Sequence, residues 1–312
     1  MMGGLLRLLS RHARLCLIIG LAAGLLFPTF KTWLALWLPV MVAALLTVTA
    51  LRIGHKAARG AARDLRWGLG AVAVLQLALP LAFLGLLHAL GLANTPVALA
   101  LVLVTAAPAI SGSTNLALLL GLDAGRMMQV IVLGTATFPL TVLPVLFLSP
   151  QIDTPSDILT SAALVLLVIL GATALGFFLR AVFYPNPSTA QIQTLDGASV
   201  LAFCVIVVAL MAPLNAALRA APGQVALWAL LAFAISYGLQ AATLLALRKT
   251  SLHAVAGPLA IGAGNRNIAL FRVALPPDVL APILIFIGCW QLPMYLTPIL
   301  LPQLYRKALS DG

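Results

Sequence analysis

The chain reads as an all-α membrane protein: ten transmembrane helices in two inverted five-helix repeats, with helices 4 and 9 broken. Three observations predict this. The 312 residues are 62% hydrophobic and 8% charged, with a mean hydropathy of +1.12, where soluble domains carry about 25% charge. Apolar runs recur along the whole length, each of the roughly 20 residues needed to cross about 30 Å of hydrocarbon. The pattern Pro-x-x-x-Gly-x-x-Asn occurs twice, at Pro108–Asn115 and again 150 residues later at Pro258–Asn265. Continuous rather than alternating apolar runs exclude a β-barrel.

Span one, about 14–30, follows Arg7, Arg11 and Arg14. A charged start before an apolar run imitates a signal peptide, but no cleavage site leading into a soluble domain follows, so the run is expected to be retained. Gly20 and Gly24 within it are spaced for close helix packing. Span two covers about 33–51 and span three about 67–90, with Gln76 just ahead of Pro80. Span four, about 96–121, is interrupted at its midpoint by Pro108 and Gly112, both helix-weakening residues. Span five, about 127–148, carries Thr135 and Thr137 before Pro139, and span six covers about 158–179. The stretch Tyr184–Asp196 reads as the linker between halves. Spans seven, eight, nine and ten fall at about 197–218, 224–247, 254–275 and 279–303, with Pro258, Gly262 and Gly264 interrupting the ninth. An odd number of spans per half turns the second half over, so the repeats (about 14–150 and 158–303) are inverted within one domain covering 1–312.

The net charge of +11 is a topology signal. With a cytoplasmic N-terminus, the inner ends hold Arg7, Arg11, Arg14, Arg52, Lys56, Arg59, Arg63, Arg66, Arg126, Arg180, Arg248, Lys249, Arg306 and Lys307. The outer side holds only Lys31 and Arg219. That asymmetry places both termini in the cytoplasm and argues against a nucleic-acid partner. Cys16, Cys204 and Cys289 are isolated in apolar runs, and His12, His55, His88 and His253 form no cluster. No Ser-His-Asp or metal-type constellation marks an enzyme, and no soluble domain is present to bind a protein partner.

Irregular backbone at mid-membrane survives only where protein or a wet cavity receives it, so the paired breaks predict a polar site between the halves. Ser111, Ser113, Thr114 and Asn115 at the first break, with Thr135, Thr137 and Gln76, supply neutral oxygens suited to a dehydrated alkali cation or to substrate hydroxyls. Asn265, Arg266 and Asn267 at the second break complete the candidate substrate-binding set with Gly112 and Asn115. A central Arg costs about 2.5–3.5 kcal/mol on insertion scales. The seven acids are all Asp, and each falls in a loop, a terminus or a span end. Arg266 therefore either leans on carbonyl oxygens at the end of a half-helix or receives an anionic substrate. Arg272, nearer the outer end, is placed to reach toward Asp278.

With these residues in view, the chain resembles the bile acid:sodium symporter family in its ten-span bacterial form. The resemblance covers nearly the full length and rests on Leu75-Gln76-Leu-Ala-Leu-Pro80, Ala107-Pro108 through Asn115, Thr135-Ala-Thr137-Phe-Pro139, and Gly264-Asn265-Arg266-Asn267-Ile-Ala-Leu270. It implies a panel domain and a core domain, spans four and nine crossing at their breaks, and sodium-coupled uptake of organic anions in the bacterial inner membrane. It also implies that Asn115, with Ser113 or Thr114, and Thr137 match first-site sodium ligands. One inserted residue near Pro108 leaves Ser113 and Thr114 as alternatives. The pattern departs in span nine, where Gly262 stands at the family's shared Glu and Arg266 at its second-site Gln; only Gln76 survives from that site. Arg266 then stands as a tethered cation in place of the second sodium. The expected function is transport of a small organic anion with sodium coupling reduced or lost, and sodium at one site is the single candidate ion. One-sodium coupling, exchange and uniport all fit, and His88 and His253 are the titratable candidates for proton coupling. An efflux carrier of the auxin-carrier type and a membrane ligand sensor without turnover are the competing readings.

Overall fold

The computed structural model describes residues 2–26, 31–61, 64–110, 112–152 and 155–310. Arg63 and Ser111 from the sequence analysis, and two of the seven acids, Asp153 and Asp311, lie outside the described residues. The described chain is helical, and its only β pairing is an isolated bridge. Its helices are α1 (Met2–Arg11), α2 (Ala13–Leu26), α3 (Lys31–Ala61), α4 (Leu65–Ala73), α5 (Leu79–Ala89), α6 (Pro96–Ala106), α7 (Ser113–Leu119) and α8 (Ala124–Leu148). They continue with α9 (Pro155–Phe183), α10 (Thr189–Ala220), α11 (Pro222–Leu247), α12 (His253–Gly264), α13 (Phe271–Ala274), α14 (Pro277–Leu280), α15 (Leu284–Leu300) and α16 (Pro302–Ser310).

Seven segments among the described residues are long and apolar enough to cross a membrane: Leu36–Gly54, Leu65–Ala89, Ala124–Leu148, Leu166–Phe183, Thr189–Ala220, Pro222–Leu247 and Pro277–Leu300. Large apolar side chains such as Leu36 (76% exposed), Leu167 (71%) and Leu140 (69%) project outward, as a lipid-facing surface requires. The protein is a multi-pass helical membrane protein. The other three predicted spans differ for identifiable reasons. The described part of span one ends at Leu26. Spans four and nine are each split, and α6 and α12, at 11 and 12 residues, rise only about 16–18 Å.

Two helix ends also differ from the sequence reading. Ser188 accepts from the Gln191 backbone N–H while Gln191 accepts in return from the Ser188 N–H, a capping box that starts α10 at Thr189. Asp196 therefore lies two turns inside a helix rather than in a linker. Helix α3 runs on to Ala61 through a kink at Gly54, whose φ of 74° and ψ of 154° suit only glycine. At the kink Arg180 Nη1 donates to the carbonyls of Leu51 and Arg52 at 3.0 and 3.1 Å.

Helices α1, α2, α3, α9 and α10 pack on one another, and α4–α8 pack with α11, α12 and α15. The two sets meet mainly where α10 lies on α15 and α8 on α9. Lipid is as apolar as Leu, so such packing depends on close backbone approach. At Gly24 an added Cβ would lie 2.9 Å from Met211 Cβ, and at Gly20 3.2 Å from Cys204 Cα. The expected α2 packing motif thus faces α10.

Replacing Gly54 by Ala forces a side chain into a glycine-only conformation and is expected to cost about 1–3 kcal/mol. Gly85→Ala, where an added Cβ meets nothing within 4 Å, is the control. Thermal melting in detergent should show a lowered midpoint for the first and no lowering for the second.

Candidate functional site

The site begins with what the two breaks leave undone. Helix α6 ends at Ala106 because Pro108 holds Ala107 extended (φ −61°, ψ 147°). Helix α12 ends at Gly264, and Asn265 leaves the helical region (φ −115°, ψ 85°). Each end points polar backbone into apolar protein, where an unpaired group costs free energy comparable to a lost hydrogen bond. The two extended segments pair with each other. Ile110 N–H donates to Asn265 O at 2.9 Å and Asn267 N–H to Pro108 O at 2.8 Å, an antiparallel bridge between Ala109 and Arg266.

Arg266 serves the carbonyls that the bridge does not reach. Its side chain is 1% exposed. Nε donates to Ala263 O at 2.9 Å, Nη1 to Ala107 O at 3.0 Å and Nη2 to Leu75 O at 2.9 Å. Two of these acceptors sit at the C-terminal ends of α12 and α6, where the helix dipole is negative. The third is freed by a π-turn at Val74–Ala78, in which Leu79 N–H bonds Val74 O. Pro80 has no N–H to offer Leu75 O in that register. Of the two roles open to Arg266 from sequence, the geometry displays the bonding of half-helix ends. Trp290 Nε1 donates back to Arg266 O at 3.1 Å, and Trp290 packs at a tilt on Phe286, which in turn packs on Trp228.

Asn265 is fully buried and internally satisfied: Nδ2 donates to Ile261 O, and Oδ1 accepts from Thr297 Oγ1 at 3.2 Å. The network continues from Thr297 through Gln240 to Tyr305 on α16, with Ser236 Oγ donating to Gly264 O. Sequence reading missed Ser236, Gln240, Thr297 and Tyr305, because each is an ordinary polar residue in an apolar helix until the fold gathers them. Gln76 is buried, donates to Gly134 O at 3.1 Å and lies beside the carbonyl that Arg266 binds. At Gly262, where the resemblance expects a carboxylate, the nearest neighbours of an added Cβ are the apolar side chains of Leu75, Val130 and Met127.

At the first break the balance is opposite. Among the described residues, Ser113 Oγ and Thr114 Oγ1 are buried without a hydrogen-bond partner. Thr137 Oγ1 donates to Leu133 O of its own helix. Gly112 and Asn115 line two cavities, of about 20 Å³ and about 50 Å³. Thr114 lines the smaller of these. A third cavity of about 10 Å³ adjoins Arg266 and Asn267. Phe203 on α10 is a wall of all three, and its ring lies 3.4 Å from where a Cβ on Gly112 would sit. Thr135 opens instead on an apolar cavity of about 120 Å³ against α3 and α9.

Two ion pairs occur among the described residues, Arg52 with Asp196 and Arg126 with Asp64; neither includes Arg272 or Asp278. His88 Nδ1 lies 3.1 Å from Leu84 O of its own helix, and His253 opens α12 with Nε2 buried and unpartnered. No cluster of His, Cys, Asp or Glu suited to a metal ion occurs among the described residues.

Neither a protein-family model nor a curated protein matches this chain, so the functional reading rests on the site itself.

Arg266→Met strips the donor from three buried carbonyls, each costing about 1–3 kcal/mol. The melting midpoint should fall steeply, and less for Arg266→Lys, whose compact ammonium keeps the charge but not the planar fork. Equal midpoints for the two variants would contradict the carbonyl-bonding role.

Proposed function

We propose that the protein is a secondary active or facilitative transporter of a small organic anion, working by alternating access. The observation that carries this reading is the antiparallel meeting of two broken helices, with unpartnered hydroxyls beside it. A chain that only had to cross a membrane gains nothing by breaking two helices in its centre and then repairing the backbone. Broken helices facing each other are how inverted-repeat carriers build a substrate site. The reading takes the fold as ten crossings in two inverted repeats: the seven continuous segments, α2 with the residues after it, and the broken pairs α6–α7 and α12–α13. In terms of the bile acid:sodium symporter family that the sequence resembles, α2, α3, α9 and α10 form the panel and the remaining spans the core. The distribution of basic residues supports a bacterial inner-membrane protein with both termini cytoplasmic.

The neutral oxygens of Ser113, Thr114 and Asn115 fit an alkali cation, which prefers uncharged hydroxyl and carbonyl donors when dehydrated. Arg266 supplies a permanent cation at the second break, and its bonds to Ala107 O, Ala263 O and Leu75 O leave no carboxylate-lined space there for a second ion. Sodium coupling is therefore reduced to at most one ion per cycle. An organic anion would lie against Gly112 and Asn115, reached when Phe203 and α10 move away from the break. Because the three cavities at the breaks hold only about 10–50 Å³ each, substrate entry there requires the two helix sets to part.

Two measurements test this. Purified protein reconstituted into vesicles should carry at least one carboxylate or sulfonate from a panel across the bilayer; ligand-induced stabilisation without flux would make it a sensor instead. Sodium replacing potassium should raise the melting midpoint of wild type, and Ser113→Ala with Thr114→Val should abolish that rise. Two sodium ions moving per anion would overturn the tethered-cation role of Arg266.

A further inference from the structure

We infer that Arg52 receives the anionic headgroup of the substrate, and that Asp196 is a resident carboxylate which occupies Arg52 until the substrate displaces it. This rests on the transport reading above and deepens it by naming the charged group.

An anion carrier needs a cation that can reach its cargo, and Arg266 has spent Nε, Nη1 and Nη2 on carbonyls in a fully buried setting. Arg52 is differently placed. It lines the cavity at the first break together with Asp196, Gly112, Thr114 and Asn115. The hydroxyl of Thr114 there is buried and has no partner, a polar group awaiting a guest. The Arg52 and Asp196 side chains keep 19% and 17% of their surface, so the pair is sheltered from solvent yet open on one side. Contact runs from Arg52 Nε to a single Asp196 oxygen, whereas guanidinium binds carboxylate most strongly through two parallel bonds. An incoming carboxylate or sulfonate that forms the two-bond arrangement replaces the internal one with a gain.

The backbone holds Arg52 for this task. Arg180 Nη1 bonds both Leu51 O and Arg52 O where Gly54 kinks α3, so Arg52 sits on a fixed corner. Asp196 comes from α10, the helix that also carries Phe203, the wall of all three cavities. Parting Asp196 from Arg52 releases the tie between α3 and α10 at this level, so anion binding and movement of the cavity wall are one event. Among the described residues, Asp196 is the one carboxylate lining these three cavities, which makes it the natural competitor for an anionic guest.

The test measures binding of octanoate and octane-1-sulfonate to full-length protein in nanodiscs of zwitterionic lipid, where no anionic headgroup competes. Asp196→Asn is expected to bind at least one probe about tenfold more tightly than wild type, because the internal competitor is gone. Arg52→Gln should bind about tenfold or more weakly, Arg52→Lys should fall between, and Arg52→Gln/Asp196→Asn should match Arg52→Gln. An Asp196→Asn variant that binds no tighter than wild type overturns the inference, since a purely structural clamp would weaken in both variants alike. If Arg52→Gln does not fold, weakened binding in Arg52→Lys supports the inference in its place, and unchanged binding there overturns it. Wild type that binds neither probe removes the anion-transport reading and this inference together; wild type that binds while Asp196→Asn gains nothing removes the inference alone.

Discussion

The structure turns on the backbone groups exposed where α6 and α12 stop in the middle of the molecule. Each N–H and C=O buried there needs a protein partner. The antiparallel bridge at Ala109 and Arg266 satisfies one set, and the Arg266 guanidinium satisfies carbonyls from three separate elements. A single side chain thus joins the end of α6, the end of α12 and the π-turn before α5. Its charge needs no carboxylate, because two helix C-termini and a freed carbonyl present their negative ends to it. Around this knot Phe138 meets Phe271 edge-on at 5.4 Å, fixing α8 against the chain after the second break.

The two breaks share a backbone pattern and divide the work. At the second, the side chains of Asn265, Arg266 and Trp290 all bond to protein. The first keeps unpartnered hydroxyls beside its cavities. The charge pair of Arg52 and Asp196 lies beside the first break, between α3 and α10, rather than at the Arg266 knot.

Much of this is legible in the amino-acid sequence. The membrane class follows from composition, and seven of the expected spans match continuous helices in place and order. The first interruption falls where Pro108 puts it, whereas α12 runs through Pro258 and Gly262 and stops only at Gly264; Gly20 and Gly24 mark a close-packed face. Other features are encoded locally but carry a weaker signal. The Ser188–Gln191 capping box moves the start of α10 ahead of Asp196, and Pro80 announces that a carbonyl in the preceding turn lacks a donor, though only the π-turn makes it that of Leu75. Taking Asp196 as a linker residue hides an acid that lines a cavity at the first break.

The sequence by itself determined which segments are apolar, that the helix before Pro108 must stop, and that an Arg without a nearby acid lies among them, since these depend on residue type and local spacing. Only the tertiary structure decided what each polar group is bonded to. Leu75 and Arg266 stand 191 residues apart, and Arg52 and Asp196 are separated by 144. No local rule connects such distances; the pairing arises because apolar packing brings the helices together and each buried polar group must then find a partner within reach.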